Sequence, residues 1–402
     1  MRYSFILLYI MFALVGCNKD NIVIPTQTFN LTVNNGYGSG SYEVGETVHL
    51  WSVAYDTTQT FGEWIGDVSF LNRPNEWHTT LTMPNQNLSV TAVIDDMPTY
   101  EITFEVMAGL NNPKNVYYFF PPNPIGMIYL FHGTGGDAKG FISGTEMRSF
   151  TNAAIAAGYA IISTEGEEIT LNQDIDGDGE KRFMTHPIDT VNNIDYRNIK
   201  IITDEFISRG WVTANTHRFS IGMSAGSNFS AAFSAIWNFP GIGYCSRAQN
   251  TGFGSRLSPF AYRLAKYDDN ESYNYPAGLN QAMANIAELE LRGICNDLYE
   301  NDRQPIYPQR FARVSGISTA NSISIYNELL INNQINDDGY ALNSSIIRDN
   351  VLTNPNAYPT IVNFINQGIT GMISQIRASN AEHAFYSDYN HESLSFFNNQ
   401  CE

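Results

Sequence analysis

The sequence predicts an α/β fold, a mainly parallel sheet covered by helices, preceded by a small all-β module. Three observations predict it. Runs of strand length recur (Gly126–Phe131, Tyr159–Ser163, Arg218–Ile221), and the first is continuously apolar, as strands buried on both faces are. Between them lie stretches with helical spacing. Met147, Phe150 and Ala154 share one face, as do Ile199, Ile202 and Phe206, with Gly158 and Gly210 past their ends. Upstream, residues 27–95 hold short alternating runs separated by turn residues.

The elements follow in chain order. Residues 1–17 combine Met1-Arg2, an apolar run from Phe5 to Val15, and Leu14-Val15-Gly16-Cys17. That is the form of a secretory signal, and the run is too short to span a bilayer. Leu-x-Gly-Cys resembles a bacterial lipobox. The resemblance implies that Cys17 is acylated, becomes the mature N-terminus and anchors the chain in a bacterial membrane, at the outer membrane or cell surface. Residues 18–26 are a polar tether. In the module, Phe29–Val33, Glu46–Trp51, Thr79–Pro84 and Leu88–Val93 read as strands. Gly38–Tyr42, Trp64-Ile65-Gly66-Asp67 and Thr82-Met83-Pro84 resemble the divergent internalin-type B-repeat of bacterial surface proteins, which implies a spacer or accessory binding role. Trp51, Trp64 and Trp77 either belong to the core or form a sugar-stacking face, and core is the preferred reading for Trp51 and Trp64. Asp95–Thr99 is the joint, and residues 99–402 form the α/β domain.

The chemistry centres on Gly222-Met223-Ser224-Ala225-Gly226, which follows the strand-like run ending at Ile221 and opens a helix-compatible run from Ser227 to Trp237. Glycines on both sides of a serine suit a turn too tight for neighbouring Cβ atoms, which exposes the serine Oγ as a nucleophile. His132-Gly133-Thr134-Gly135-Gly136 follows the first apolar strand. Its glycines can turn backbone N–H groups toward a reacting carbonyl, so the amides of Thr134 or Gly135, with that of Ala225, are the candidate oxyanion donors. Of seven histidines, only His383 and His391 lie beyond Ser224. Gly371–Arg377 reads as the last strand, with His383 in the loop after it and Glu392–Phe397 as a short terminal helix. That makes His383 the preferred base over His391. Phe260–Ala265 reads as the penultimate strand, and Asp268 or Asp269 just beyond it could orient the base. Ala265-x-x-Asp268 favours the former, and Asp337 or Asp338 is the fallback.

Tyr129–Gly136, Ile194-Asp195-Tyr196 and His217–Gly226 together resemble the α/β-hydrolase superfamily, from about Thr99 to the C-terminus. They are most similar to secreted esterases related to polyhydroxyalkanoate depolymerases and feruloyl or acetylxylan esterases. Gly-Gly-His-x-Trp-Pro, which those esterases often carry around the base, is absent, and residues 270–358 match poorly. The resemblance implies a Ser-His-Asp esterase whose substrate is a carboxylic ester, on a polysaccharide or a polyester, and which needs no cofactor. A serine peptidase of the same fold and an inactive surface-binding protein are the rival expectations.

Asp174-Ile175-Asp176-Gly177-Asp178-Gly179 spaces carboxylates as the start of a calcium loop does. Thr185 at the twelfth position excludes a complete EF-hand. A solvated acidic turn and a structural calcium held by Asp174, Asp176 and Asp178 both remain as readings. The net charge of −18 repels phosphate backbones, so nucleic acid is not expected as a partner. Once Cys17 is acylated, Cys245, Cys295 and Cys401 remain, an odd number from which no pairing follows. Cys295 lies in a run that reads as helical.

Overall fold

The computed structural model describes residues 27–53, 58–246, 257–271 and 274–399. The signal, Cys17, the tether and Cys401 lie outside these residues. The module comprises β1 (Thr28–Asn34), β2 (Gly36–Tyr37), β3 (Gly40–Glu43), β4 (Thr47–Ser52), β5 (Gln59–Gly66), β6 (His78–Thr82) and β7 (Leu88–Asp96). They make two sheets, ordered β3-β1-β7-β5 and β2-β4-β6. Alternate residues turn inward: Leu31 and Val33, Val48 and Leu50, and Leu88, Val90 and Ala92 meet Trp64 and Leu81 in one core. The four predicted runs become β1, β4, β6 and β7. β5 gives no alternating signal, because its register slips between Phe61 and Trp64 around Gly62.

The sheet of the α/β domain has eight strands: β8 (Thr103–Met107), β9 (Lys114–Phe119), β10 (Gly126–Phe131), β11 (Tyr159–Thr164), β12 (His217–Met223), β13 (Gly241–Tyr244), β14 (Phe260–Ala265) and β15 (Asn296–Asn301). Their order is β15-β14-β13-β12-β10-β11-β9-β8. β10 to β15 pair in parallel, while β8 and β9 add on antiparallel at one edge. Six helices interleave with the strands: α1 (Ala138–Ser143), α2 (Thr145–Ala156), α3 (Glu167–Leu171), α4 (Ile194–Ser208), α5 (Ala225–Trp237) and α6 (Tyr275–Leu291). After β15 come α7 (Thr319–Ile331), α8 (Ser344–Thr353), α9 (Pro359–Asn366) and α10 (Gly371–Ser379), then α11 (Asn390–Asn399).

The sheet is covered on both faces, which explains its unbroken apolar strands. Along β10, Ile128 and Leu130 face Phe150 of α2 and Phe397 of α11. Met127, Tyr129 and Phe131 face Ile199 and Phe206 of α4 and Phe229 and Phe233 of α5. Two-residue alternation within a wholly apolar run thus feeds two cores. The helices α7 to α10 form a lobe with its own core, including Phe311, Ile325, Leu329, Ile347, Ile361 and Met372.

Two expectations are corrected here. Residues 371–377 form a helix, α10, and not the last strand; Met372 and Ile376 point one way at a spacing of four, which a short apolar run cannot distinguish from a strand. The last strand is β15, Asn-Asp-Leu-Tyr-Glu-Asn, an edge strand that is only partly buried and so carries no apolar signature. Cys295 lies just before β15 and outside any helix, and it is disulfide-bonded.

Candidate active site

β12 ends at Met223 and α5 starts at Ala225, so Ser224 alone makes the turn. Its φ of 58° and ψ of −125° are strained for a residue with a Cβ. Three contacts hold it there: the Ser224 amide donates to the Tyr244 carbonyl at 2.9 Å, and the Ser227 amide and hydroxyl return to the Ser224 carbonyl. The flanking glycines are steric requirements. A Cβ on Gly222 would lie 1.9 Å from the Gly226 carbonyl oxygen, and one on Gly226 would lie 2.3 Å from that of Phe131.

His383 follows α10 on the loop that leads to α11. Its Nδ1 donates to Asp268 Oδ2 at 2.7 Å, and Asp268 Oδ1 accepts the Asn270 amide at 3.1 Å. Asp268 is buried, as a carboxylate is when an imidazole and a backbone amide replace its water. The two loops are also stitched by the backbone, Tyr267 amide to Ala381 carbonyl at 2.9 Å. A proton on Nδ1 leaves Nε2 as the basic nitrogen, and the His383 ring and Ser224 line the same cleft of about 560 Å³. Gly133, Thr134, Arg182 and Arg377 also border it.

The other candidates lie elsewhere. Asp269 is exposed, touched by the Asn343 amide at 3.4 Å, and α6 is capped instead by Asn274. Asp337 and Asp338 are exposed on a turn. His391 is on the surface of α11 and borders a different cavity, together with Thr60 and Asn75. Among the donors, the Gly135 amide is directed to the Lys181 carbonyl at 2.8 Å, away from an incoming oxygen. Thr134 and Ala225 are left as the candidate donor pair, the latter at the N-terminus of α5, where the helix dipole favours negative charge. His132 is buried against Phe183, and its Nδ1 donates to the Gly133 carbonyl at 2.8 Å. Burial lowers its pKa to about 4, so it stays neutral and braces the loop.

One neighbour of Asp268 and His383 has no signal in the sequence. Cys245, just past β13, is a buried free thiol whose Sγ donates to the Ala384 carbonyl at 3.3 Å. It lies within 4.8 Å of the Asp268 and His383 atoms. Burial, and then the Asp268 charge, push the thiol well above its usual range, so it stays protonated.

The acidic loop comes together differently from the expected set. Glu168, Asp174 and Asp176 converge, with oxygens within 4.8 Å of one another, whereas Asp178 pairs with Arg182. The buried Glu168 accepts the Ile175, Asp176 and Arg182 amides, and Asp174 accepts those of Gly177 and Gly179. Burial, with help from the Asp178 and Glu168 charges, raises the Asp176 pKa.

The sheet order, the strained serine at the end of β12 and the histidine beyond the last strand define an α/β-hydrolase fold. No family model and no curated protein matches the chain. Among solved structures it is similar to a serine hydrolase without a lid from Xanthomonas campestris, at 14% identity over 51% of this chain and 84% of that one, TM-score 0.35. A dienelactone hydrolase from Anabaena variabilis is 14% identical over 50% and 87%, TM-score 0.30. An esterase from Pyrobaculum calidifontis is 12% identical over 51% and 76%, TM-score 0.35. The strand order and the serine turn of this chain define its fold.

Proposed function

We propose that the chain is a serine hydrolase of carboxylic esters. The observation that carries the reading is the 2.7 Å bond from His383 to the buried Asp268, in a cleft shared with the strained Ser224. In the first half-reaction, Ser224 Oγ attacks the ester carbonyl while its proton passes to His383 Nε2. The Thr134 and Ala225 amides hold the resulting oxyanion. The C–O bond then breaks and the alcohol leaves with the proton from His383. Water, deprotonated by the same nitrogen, attacks the acyl-enzyme and releases the acid and Ser224. Asp268 steadies the imidazolium throughout. A peptidase would use the same groups. Parallel assays on p-nitrophenyl acyl esters and on aminoacyl and peptide amides separate the two, with ester turnover alone expected. An inactive binding protein would leave Ser224 unlabelled by a fluorophosphonate.

The lipobox resemblance supports acylation at Cys17. Membrane fractionation in a bacterial host should put wild type in the membrane and Cys17→Ser in the soluble fraction; equal partition would sink this reading. The convergence of three carboxylates supports a calcium ion at Glu168, Asp174 and Asp176, since hard oxygen donors suit it. It would tie α3 to the loop bordering the cleft. Thermal unfolding should then fall by several degrees in EDTA and recover with calcium, and Asp174→Asn should abolish the response.

A further inference from the structure

We infer that the β-module is a positioning element for the catalytic base, gripping the loop on which His383 sits; this rests on the serine-hydrolase reading above. All three module tryptophans are buried and their indole N–H groups are used internally, which excludes a sugar-stacking face made of them. Trp64 serves the module core, through the Glu76 carbonyl. The other two reach across to the α/β domain. Trp77 Nε1 donates to the Ser387 carbonyl at 2.8 Å, and Trp51 Nε1 donates to Gln304 Oε1 at 2.8 Å.

Beside them, His78 Nδ1 donates to Asp388 Oδ1 at 2.6 Å. Burial holds His78 neutral although Asp388 pulls the other way, so its Nε2 is free to accept from His49 Nδ1 at 3.0 Å. One tautomer of each ring therefore satisfies the whole line from His49 to Asp388. Gln304 Nε2 adds a second donor to Asp388 Oδ1 at 2.9 Å, and Arg73 reaches the Asp388 carbonyl at 3.3 Å. From the far side, Glu146 accepts the Ser387 amide at 3.1 Å, with Arg313 bridging Glu146 and the Ser387 hydroxyl.

The loop needs such a grip. Ala381, two residues before His383, has a φ of 50°, a conformation that costs a residue with a Cβ and persists only where its surroundings impose it. The start of the loop is tied to Tyr267, and Ala384 to Cys245. Ser387 and Asp388, at its far end, take three bonds from the module: Trp77, His78 and Arg73. A displacement of about 1 Å at a catalytic group costs on the order of 100-fold in rate.

The test uses the full chain and p-nitrophenyl acetate. Trp77→Phe keeps an aromatic ring against Arg313 and removes the indole N–H bond to the Ser387 carbonyl; Asp388→Ala removes the acceptor of the histidine line. Both should lower kcat by about 10- to 100-fold with KM within about twofold, at temperatures where circular dichroism shows a folded protein. Asp388→Asn, whose oxygen can still accept from His78 and Gln304, should recover most of the loss. His78→Ala added to Asp388→Ala should cost little more, because the two act as one unit. If Asp388→Ala does not fold, Trp77→Phe decides. An active wild type whose folded variants keep the wild-type kcat overturns this inference alone. A wild type without ester turnover overturns the hydrolase reading, and this inference with it.

Discussion

Replacing Ser224 by alanine is expected to reduce ester turnover by about 10⁴- to 10⁶-fold with the fold unchanged, the scale seen when a serine nucleophile is removed from a triad. The magnitude follows from the absence of a substitute. Cys245 is the other strong nucleophile near His383, but it is buried and held protonated. The Ser227 and Ser230 hydroxyls are buried and bonded, to the Ser224 carbonyl and to Ser220 respectively. The fold should survive because the turn is held by the backbone, through the Ser224 amide and the Ser227 amide, and by the two glycines. Initial rates with p-nitrophenyl acetate and a thermal melt would check both halves. Retained activity in a folded variant would remove Ser224 from the mechanism.

The second large effect is expected at the acid. Asp268→Asn should cost about 10⁴-fold in kcat, because an amide cannot stabilise the imidazolium and can impose the wrong tautomer on His383. Asp269→Asn should stay within about twofold, since that side chain is exposed and makes one long contact with Asn343. The bases should divide the same way: His383→Ala close to the serine variant, His391→Ala close to wild type. His391 borders a separate cavity, against the module. Rate profiles of the four variants settle the assignment. A severe loss in Asp269→Asn with an active Asp268→Asn would reverse the acid and leave the rest of the mechanism standing.

Much of this was readable from residue order. Runs such as Met127–Phe131 announce strands buried on both sides, because no polar residue interrupts them. The serine turn is legible because its geometry excludes every residue but glycine at two fixed places. Where the local pattern was ambiguous, reading failed. Residues 371–377 are too short a run to separate the two periods, and in the structure Met372 and Ile376 share one face in the same core as Phe311 and Ile361. β15 is polar because one of its edges has no partner strand, and its pairing with β14 is decided by register across a gap of some thirty residues.

By itself the sequence determined the α/β layering, the nucleophile turn and the short set of residues able to serve it, because each depends on neighbours within a few positions along the chain. The tertiary structure brings Asp268 and not Asp269 to His383, leaves His391 at a different cavity, and turns the Gly135 amide onto the Lys181 carbonyl. It also put Glu168 in place of Asp178 in the acidic cluster, buried the three module tryptophans and turned Trp77 onto the loop that carries His383. These choices compare residues of the same type, often adjacent, with the same intrinsic chemistry. What separates them is burial and the partner that arrives from more than a hundred residues away, as His383 does for Asp268 and Asp388 for His78.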